Sequence, residues 1–204
     1  MSAILTGVRI GIALTGSFCT IAGVLAAVEK LKSAGCELYP IMSFNVAGCD
    51  TRFFSARALR ERVEALCERE VIDSIVKAEP IGPQKLLDII VVAPCTGNSC
   101  AKLANGIADT PVCMACKSQL RNERPVLIGI STNDGLAAAA RNIAELLNRK
   151  NVFFIPFGQD DPVNKPTSLV TDFTLMQRAV EEALNGIQTQ PILINSNRQL
   201  HTHK

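Results

Sequence analysis

The run DIIVVAPCTGNSCAKLANG, from Asp88 to Gly106, decides the fold. Ile89, Ile90, Val91 and Val92 form an unbroken apolar block, the pattern of a parallel strand covered on both faces. Pro94 is expected to end that strand. Thr96, Gly97, Asn98 and Ser99 then supply a tight polar turn with several helix-capping groups. Ala101 to Ala104 read as a short helix stopped by Asn105-Gly106. Strand, polar turn and helix start in succession place small hydrogen-bonding groups at the carboxyl end of a strand. In open α/β sheets that is where ligands bind.

The flanking sequence repeats the theme. Val8 to Leu14, Glu37 to Met42, Val126 to Ile130 and Val152 to Ile155 read as further short strands. Between them lie apolar faces at helical spacing: Ile21, Val24, Leu25, Val28 and Leu31; Leu59, Val63 and Leu66; Leu136, Ala140, Ile143 and Leu147. Phe173, Met176, Val180 and Leu184 give a final helix. Strands alternating with amphipathic helices imply parallel pairing and right-handed crossovers. The expected fold is a three-layer, doubly wound parallel α/β sheet of the Rossmann-like kind, with its strand order left open. Residues 1–190 are expected to form one domain and residues 191–204 a flexible tail. Ser43 to Ser55 reads as a polar connection. Phe157 to Ser168 reads as a long irregular segment, a lid or a subunit contact.

Composition narrows the function. The 204 residues are 48% hydrophobic with a formal net charge of +2, enough for a substantial core and no reason to expect nucleic acid or an anionic membrane as partner. No apolar run approaches the roughly 18 residues of a spanning helix, and the N-terminal apolar stretch is interrupted by Thr6, Gly7 and Arg9 rather than patterned as a signal peptide. Eight cysteines scattered through apolar segments read as reduced thiols of a cytoplasmic protein. Both histidines, His201 and His203, lie in the polar tail. The body of the chain therefore lacks Ser-His and Cys-His nucleophilic pairs and every histidine metal site.

Polar groups collect at one predicted edge. Thr15-Gly16-Ser17 opens the first helix, where free N–H groups and the helix dipole favour an anion, and Ser17 and Thr20 add hydroxyls. A single glycine in the turn suits a mononucleotide phosphate better than a pyrophosphate. Ser43 ends the second strand, Thr96 to Ser99 follow the third, and Ser131 to Asn133 follow the fourth. Each alone is ordinary capping; together they line one crevice. Cys95, Cys100, Cys113 and Cys116 fall close in sequence, but irregular spacing favours small buried hydrophobes over metal ligands. Lys102, Lys117, Arg121 and Arg124 offer charge for an anionic substrate. Asp160-Asp161 is explained by a polar turn before Pro162.

The Gly16-Ser17 turn and the run APCTGNSCAKLANGIADT together resemble the flavoprotein family of flavin-containing cysteine decarboxylases, which includes phosphopantothenoylcysteine decarboxylase and the flavin prenyltransferases. That family carries Ala-Pro-Ala-Ser-Ala-Asn-Thr after its third strand, a helix with Lys, and then Gly-x-x-Asp. Ala93, Pro94, Asn98, Lys102, Gly106 and Asp109 match in register; Cys95, Thr96, Gly97 and Ser99 vary. LRNERPVLIGIST resembles the prenyltransferase segment that introduces the fourth strand. The decarboxylase histidine is replaced by Glu79-Pro80-Ile81-Gly82-Pro83, and the Pro-x-Met-Asn clamp region reads Ala115-Cys116-Lys117-Ser118. Cysteine decarboxylation is not expected. AEPIGP, APCTGNS, RPVLIGISTNDGL, VFFIPFGQDDP and KPTSLV instead resemble a branch of the family that forms the B-type subunit of a two-subunit sporulation enzyme, with the likeness running to about Asn185.

That resemblance implies oxidation of a dihydropyridine-2,6-dicarboxylate, formed from a lysine-pathway precursor, to the aromatic dicarboxylate stored in spores. It implies an A subunit associated with NADP, a small dicarboxylate substrate, a homo-oligomer (a trimer or a multiple of one), and the cytoplasm of the mother cell. It also implies a site for FMN. Gly16, Ser17 and Ser43 would hold the FMN phosphate region, and Pro94, Thr96, Gly97, Asn98 and Ser99 would meet the ribityl chain and ring, with Ser131 nearby. Asn98 would contact cofactor and substrate as the catalytic residue. Lys117 or Arg121 would pair with a substrate carboxylate by charge complementarity. Two other readings stay open: a self-sufficient FMN enzyme, either a flavin prenyltransferase or an atypical decarboxylase, and a non-catalytic subunit whose flavin site has decayed.

Overall fold

The computed structural model describes residues 5–195. Five parallel strands are present where the apolar runs predict them: β1 (Arg9–Leu14), β2 (Glu37–Met42), β3 (Ile89–Cys95), β4 (Val126–Thr132) and β5 (Val152–Phe154). Two more, β6 (Phe157–Asp161) and β7 (Lys165–Thr171), form an antiparallel hairpin. The sheet order is β2-β1-β3-β4-β7-β6, with β5 also paired to β4. β4 thus divides one edge between two partners: β5 runs parallel along Val126 to Ile128, and β7 takes over antiparallel at Ser131 and Thr132.

The eight helices described are α1 (Ile21–Ser33), α2 (Phe44–Gly48), α3 (Ala56–Cys67), α4 (Ile75–Ala78), α5 (Gly97–Ala104), α6 (Pro111–Arg121), α7 (Ala140–Leu147) and α8 (Met176–Leu184). They cover both faces of the sheet. One apolar core joins β1 and β3 to α1, α3 and α8 through Val24, Val28, Leu59, Val63, Met176 and Val180. The other joins the opposite face to α5, α6 and α7 through Cys100, Val112, Cys116, Ile143 and Leu146. All seven β3 residues are buried, which is why that strand reads as a continuous apolar block rather than an alternation.

Three expectations need correcting. Pro94 does not end β3; it sits inside the strand at a register shift between Val92 and Cys95, following a cis peptide bond from Ala93. An irregular point in the ladder tolerates a residue without an N–H, and the Pro94 carbonyl is used instead, accepting from Thr15 N (3.3 Å) and Thr15 Oγ1 (2.7 Å). Phe157 to Ser168 is not irregular but the β6–β7 hairpin. Its turn is closed by Asp161, which accepts from Val163 N (3.2 Å) and Asn164 N (3.0 Å). The expected tail does not begin at residue 191 either. Phe157 N donates to Ile192 O and Ile194 N to Phe157 O (3.0 and 3.1 Å), so Ile192 to Ile194 lies alongside β6. The rest of the expected tail, with His201 and His203, is outside the described residues.

The segment around AEPIGP is held by α6. Asn122 Nδ2 donates to Gly82 O (2.7 Å). A Cβ on Gly82 would stand 2.8 Å from Arg121 Nη2 and 3.0 Å from Ser118 Cβ, so glycine is what permits this close approach. At the amino ends of the strands, Asp88 accepts from Arg9 (2.7 Å) and Arg124 (3.2 Å), joining the starts of β1, β3 and β4.

Candidate functional site

The carboxyl ends of β1 and β3 are joined by a buried threonine. Thr15 Oγ1 donates to Pro94 O and accepts from Thr96 N (3.0 Å), locking the loop after β1 to the loop after β3. Above this lock the chain turns through Gly16 and Ser17 into a 3₁₀ turn, Phe18–Thr20, and then α1. The first N–H groups of that helix start have no helical partner of their own. Three hydroxyls meet beside them. Ser131 Oγ, at the end of β4, lies 2.7 Å from Ser17 Oγ and 3.1 Å from Thr20 Oγ1. A hydroxyl can turn its hydrogen toward a neighbour or toward a ligand, so this cluster is an adjustable set of donors.

The hydroxyls open on a cleft of about 530 Å³, inside the range of small-molecule and cofactor sites. One wall is Gly16 to Thr20 and Thr96; another is Ser131 to Asn133; a third is the hairpin, through Asp160, Lys165 and Ser168; Arg52 and Phe53 stand at the mouth. The Arg52 guanidinium lies 4.8 Å from the Phe53 ring centroid, within cation–π range. Lys165 Nζ is 2.8 Å from Asp160 Oδ2, and that hydrogen bond raises the lysine above its ordinary pKa. The two charges cancel, leaving Arg52 as the positive group of the cleft without an anionic partner among the described residues. Ser168 is only 3% exposed yet lines the cleft, and its hydroxyl has no partner among the described residues.

Four expected site residues, Gly16, Ser17, Thr96 and Ser131, come together on this cleft. Pro94 lies beneath it, contributing its carbonyl to the Thr15 lock. Gly97 packs against Thr132 and Asp134, where a Cβ would approach Asp134 Oδ1 to 2.7 Å. Ser99 is buried, its N–H donating to Thr96 Oγ1 (3.2 Å), which caps α5. Asn98, expected at the centre of the site, does not line the cleft; it is exposed on the first turn of α5, and its side chain has no partner among the described residues. Ser43 does not line the cleft; it precedes α2 and its N–H donates to Leu14 O (3.0 Å).

Lys117 and Arg121 are not at the cleft. They border a separate cavity between α5 and α6, because α6 runs back toward the amino ends of the strands and carries them with it. The charged groups that do reach the cleft, Arg52 and Lys165, sit in the two stretches that read as polar connection and irregular loop. The Arg52-Phe53 pair, a cation beside an aromatic ring in a polar loop, is the one local signal that could have marked them.

Cys95 on β3, Cys100 on α5 and Cys113 and Cys116 on α6 are all buried in the core between these helices and the sheet. Burial pushes the Cys100 thiol up to about 12 and raises those of Cys95 and Cys116 well above the usual range. They pack as protonated apolar groups. Among the described residues no cluster of three or more His, Cys, Asp or Glu is placed to hold a metal ion.

A family model described as Flavoprotein matches residues 2–178. This chain belongs to the flavoprotein family. Two of its relatives come from one branch. The chain is 50% identical over 192 residues to the B subunit of dipicolinate synthase from Bacillus subtilis (strain 168), covering 94% of this chain and 96% of that one. The crystal structure of the dipicolinate synthase B subunit from Bacillus halodurans C superposes with a TM-score of 0.86 at 44% identity, covering 94% of this chain and 98% of that one. A dodecameric FMN-dependent UbiX-like decarboxylase from Escherichia coli O157:H7 shares the flavoprotein fold at 23% identity and a TM-score of 0.58, over 72% of this chain and 79% of that one.

Proposed function

We propose that this flavoprotein-family chain is the B-type subunit of a dipicolinate synthase, working with an A subunit to oxidise dihydrodipicolinate to dipicolinate during sporulation. The observation that carries this reading is identity at half of all positions over nearly the full length of both chains. The cleft adds chemical sense. Its hydroxyl cluster, helix start and unpaired Arg52 are donors for an anionic ligand, and its volume suits one of nucleotide or dicarboxylate size.

The groups present fit FMN. Ser17, Thr20 and Ser131 would donate to its phosphate, Thr96 and the first turn of α5 would border the ribityl chain, and Asn98 would face the ring and substrate. Bound there, FMN supplies a hydride acceptor, which is what converting a dihydropyridine to a pyridine requires. The protein's own part is to orient and to exclude water. Arg52 would receive a substrate carboxylate at the mouth, Phe53 would cover the planar ring, and the buried Ser168 hydroxyl would hold a polar edge of the ligand. NADP would be carried by the A subunit. The exposed Asn98 and the open mouth leave room for a second copy of this chain, as in a trimer or a multiple of one.

Mixing the purified chain with the A subunit, FMN, NADP and dihydrodipicolinate tests the reading. The expected result is dipicolinate formation by the mixture and none by this chain alone. Turnover by this chain with FMN and no A subunit would favour a self-sufficient flavin enzyme instead.

A further inference from the structure

A second cavity, of about 340 Å³, lies in the helical layer away from the cleft. Leu103, Ile107, Cys113 and Leu120 give it an apolar lining; Lys117, Arg121 and Arg149 give it three cations, and no carboxylate lines it. Arg149 is already engaged, donating to Leu103 O and Ala104 O at the end of α5 (2.8 Å each) and to Glu145 (3.3 Å). Lys102, close by on α5, is paired with Asp109 at 2.8 Å. Lys117 and Arg121 have no hydrogen-bond or ion-pair partner among the described residues.

Both side chains are exposed, so solvent screens their charges, but the pairing is still mildly unfavourable without a ligand. Lys117 and Arg121 are four apart on one helix, the spacing at which like charges repel. The helix dipole favours a cation in the last turn of α6, which accounts for Arg121 but not for Lys117 one turn earlier. It does not account either for two unpaired cations beside an apolar hollow. An anion between them would remove the repulsion, and an apolar body attached to it would fill the hollow.

We propose that this cavity is a second ligand site, for a small organic carboxylate whose apolar part sits between Leu103, Ile107 and Leu120 and whose charge lies between Lys117 and Arg121. The site is independent of the cleft and of the function proposed above. Its selectivity follows from the pairing of terms. Inorganic phosphate supplies charge without apolar burial, and a neutral aromatic supplies burial without charge.

The chain contains no tryptophan, so Ile107→Trp, at a rim position 47% exposed, introduces a single fluorescent reporter. Titrated with benzoate, the full-length I107W protein should show a saturable change in emission, with benzyl alcohol and inorganic phosphate binding at least tenfold more weakly. Adding Lys117→Gln and Arg121→Gln should raise the benzoate Kd at least tenfold, in a protein no less thermally stable than the parent because a repulsive pair has gone. Without the reporter, benzoate should raise the Tm of the native chain and not of the K117Q/R121Q protein. A non-saturating response, equal affinity for benzoate and benzyl alcohol, or an unchanged Kd in the charge variant would overturn the proposal. So would binding of a polyglutamate peptide in the absence of benzoate binding, which would make the cavity a partner surface.

Discussion

Ser131 is the residue on which the cleft turns. It is the penultimate residue of β4, it is 4% exposed, and its hydroxyl reaches both Ser17 and Thr20. Replacing it with alanine leaves those two hydroxyls near each other at 3.3 Å, so the fold should lose no more than about 1 kcal/mol, the ordinary net value of a hydrogen bond. The donor set for a phosphate would lose its centre. Ser131→Ala should therefore weaken FMN binding about tenfold, measured by titration, while Tm shifts by only a few degrees. Unchanged affinity would remove the hydroxyl cluster from the cofactor site. Gly16, Ser17, Thr96 and Ser131 were legible in the sequence because residues that follow parallel strands share one edge whatever the strand order. Arg52, Lys165 and Ser168 were not, because which long-range loop folds over the cleft depends on pairings that no local pattern records. Lys117 and Arg121 show the converse: charge is visible in sequence, but the direction in which a helix carries it is not.

Among the elements, the β6–β7 hairpin was the least legible. FGQDDPVNKPTS is polar, holds two prolines and lacks alternation, since the residues from Gly158 to Asp161 are only partly buried and those from Pro162 to Pro166 are exposed. An edge hairpin can carry such a sequence because one side of each strand need not be covered and proline is tolerated at an edge. Its link to Ile192–Ile194 is tight. A Cβ on Gly158 would clash with Ile194 O, a backbone atom that can give way only if the segment moves. Gly158→Ala should displace that segment, cost about 1–3 kcal/mol by overpacking and lost hydrogen bonds, and speed hydrogen exchange at Ile194. Protection unchanged from the parent would mean the segment is not docked as described. At the other end of the sheet, burial pushes the Asp88 carboxyl up, but hydrogen bonds from the Arg9 side chain and backbone, with the charges of Arg9 and Arg124, bring it net below its usual value. A depressed folded pKa contributes stability that is present above the unfolded value, about 3.9 for aspartate, and is lost as pH falls through the folded one. Asp88→Asn should lower Tm at pH 7 and flatten the loss of stability below about pH 4; an equal acid slope in both proteins would contradict this.

For the molecule as a whole, the alternation of strands and helices was enough to establish a layered α/β fold, and the run from Asp88 to Gly106 was enough to place the sheet edge at which the cleft opens. Family membership and near-full-length similarity to dipicolinate synthase B subunits then narrow the chemistry further than the cleft does alone. The cleft offers donors, one unpaired cation and aromatic cover, but no histidine anywhere in the described chain. Such a site is suited to binding and orienting a planar anion, and less suited to running proton transfer unaided. This is why a partner subunit is central to the account. The most direct measurement is the rate of dipicolinate formation at a fixed concentration of A subunit with NADP, as this chain is added. The account predicts a rate that rises from background and saturates, and one that falls at least tenfold when Asn98→Ala replaces the native chain. A rate indifferent to this chain would contradict a catalytic role for it, and one unchanged by Asn98→Ala would contradict the role proposed for Asn98 at the edge of its cleft.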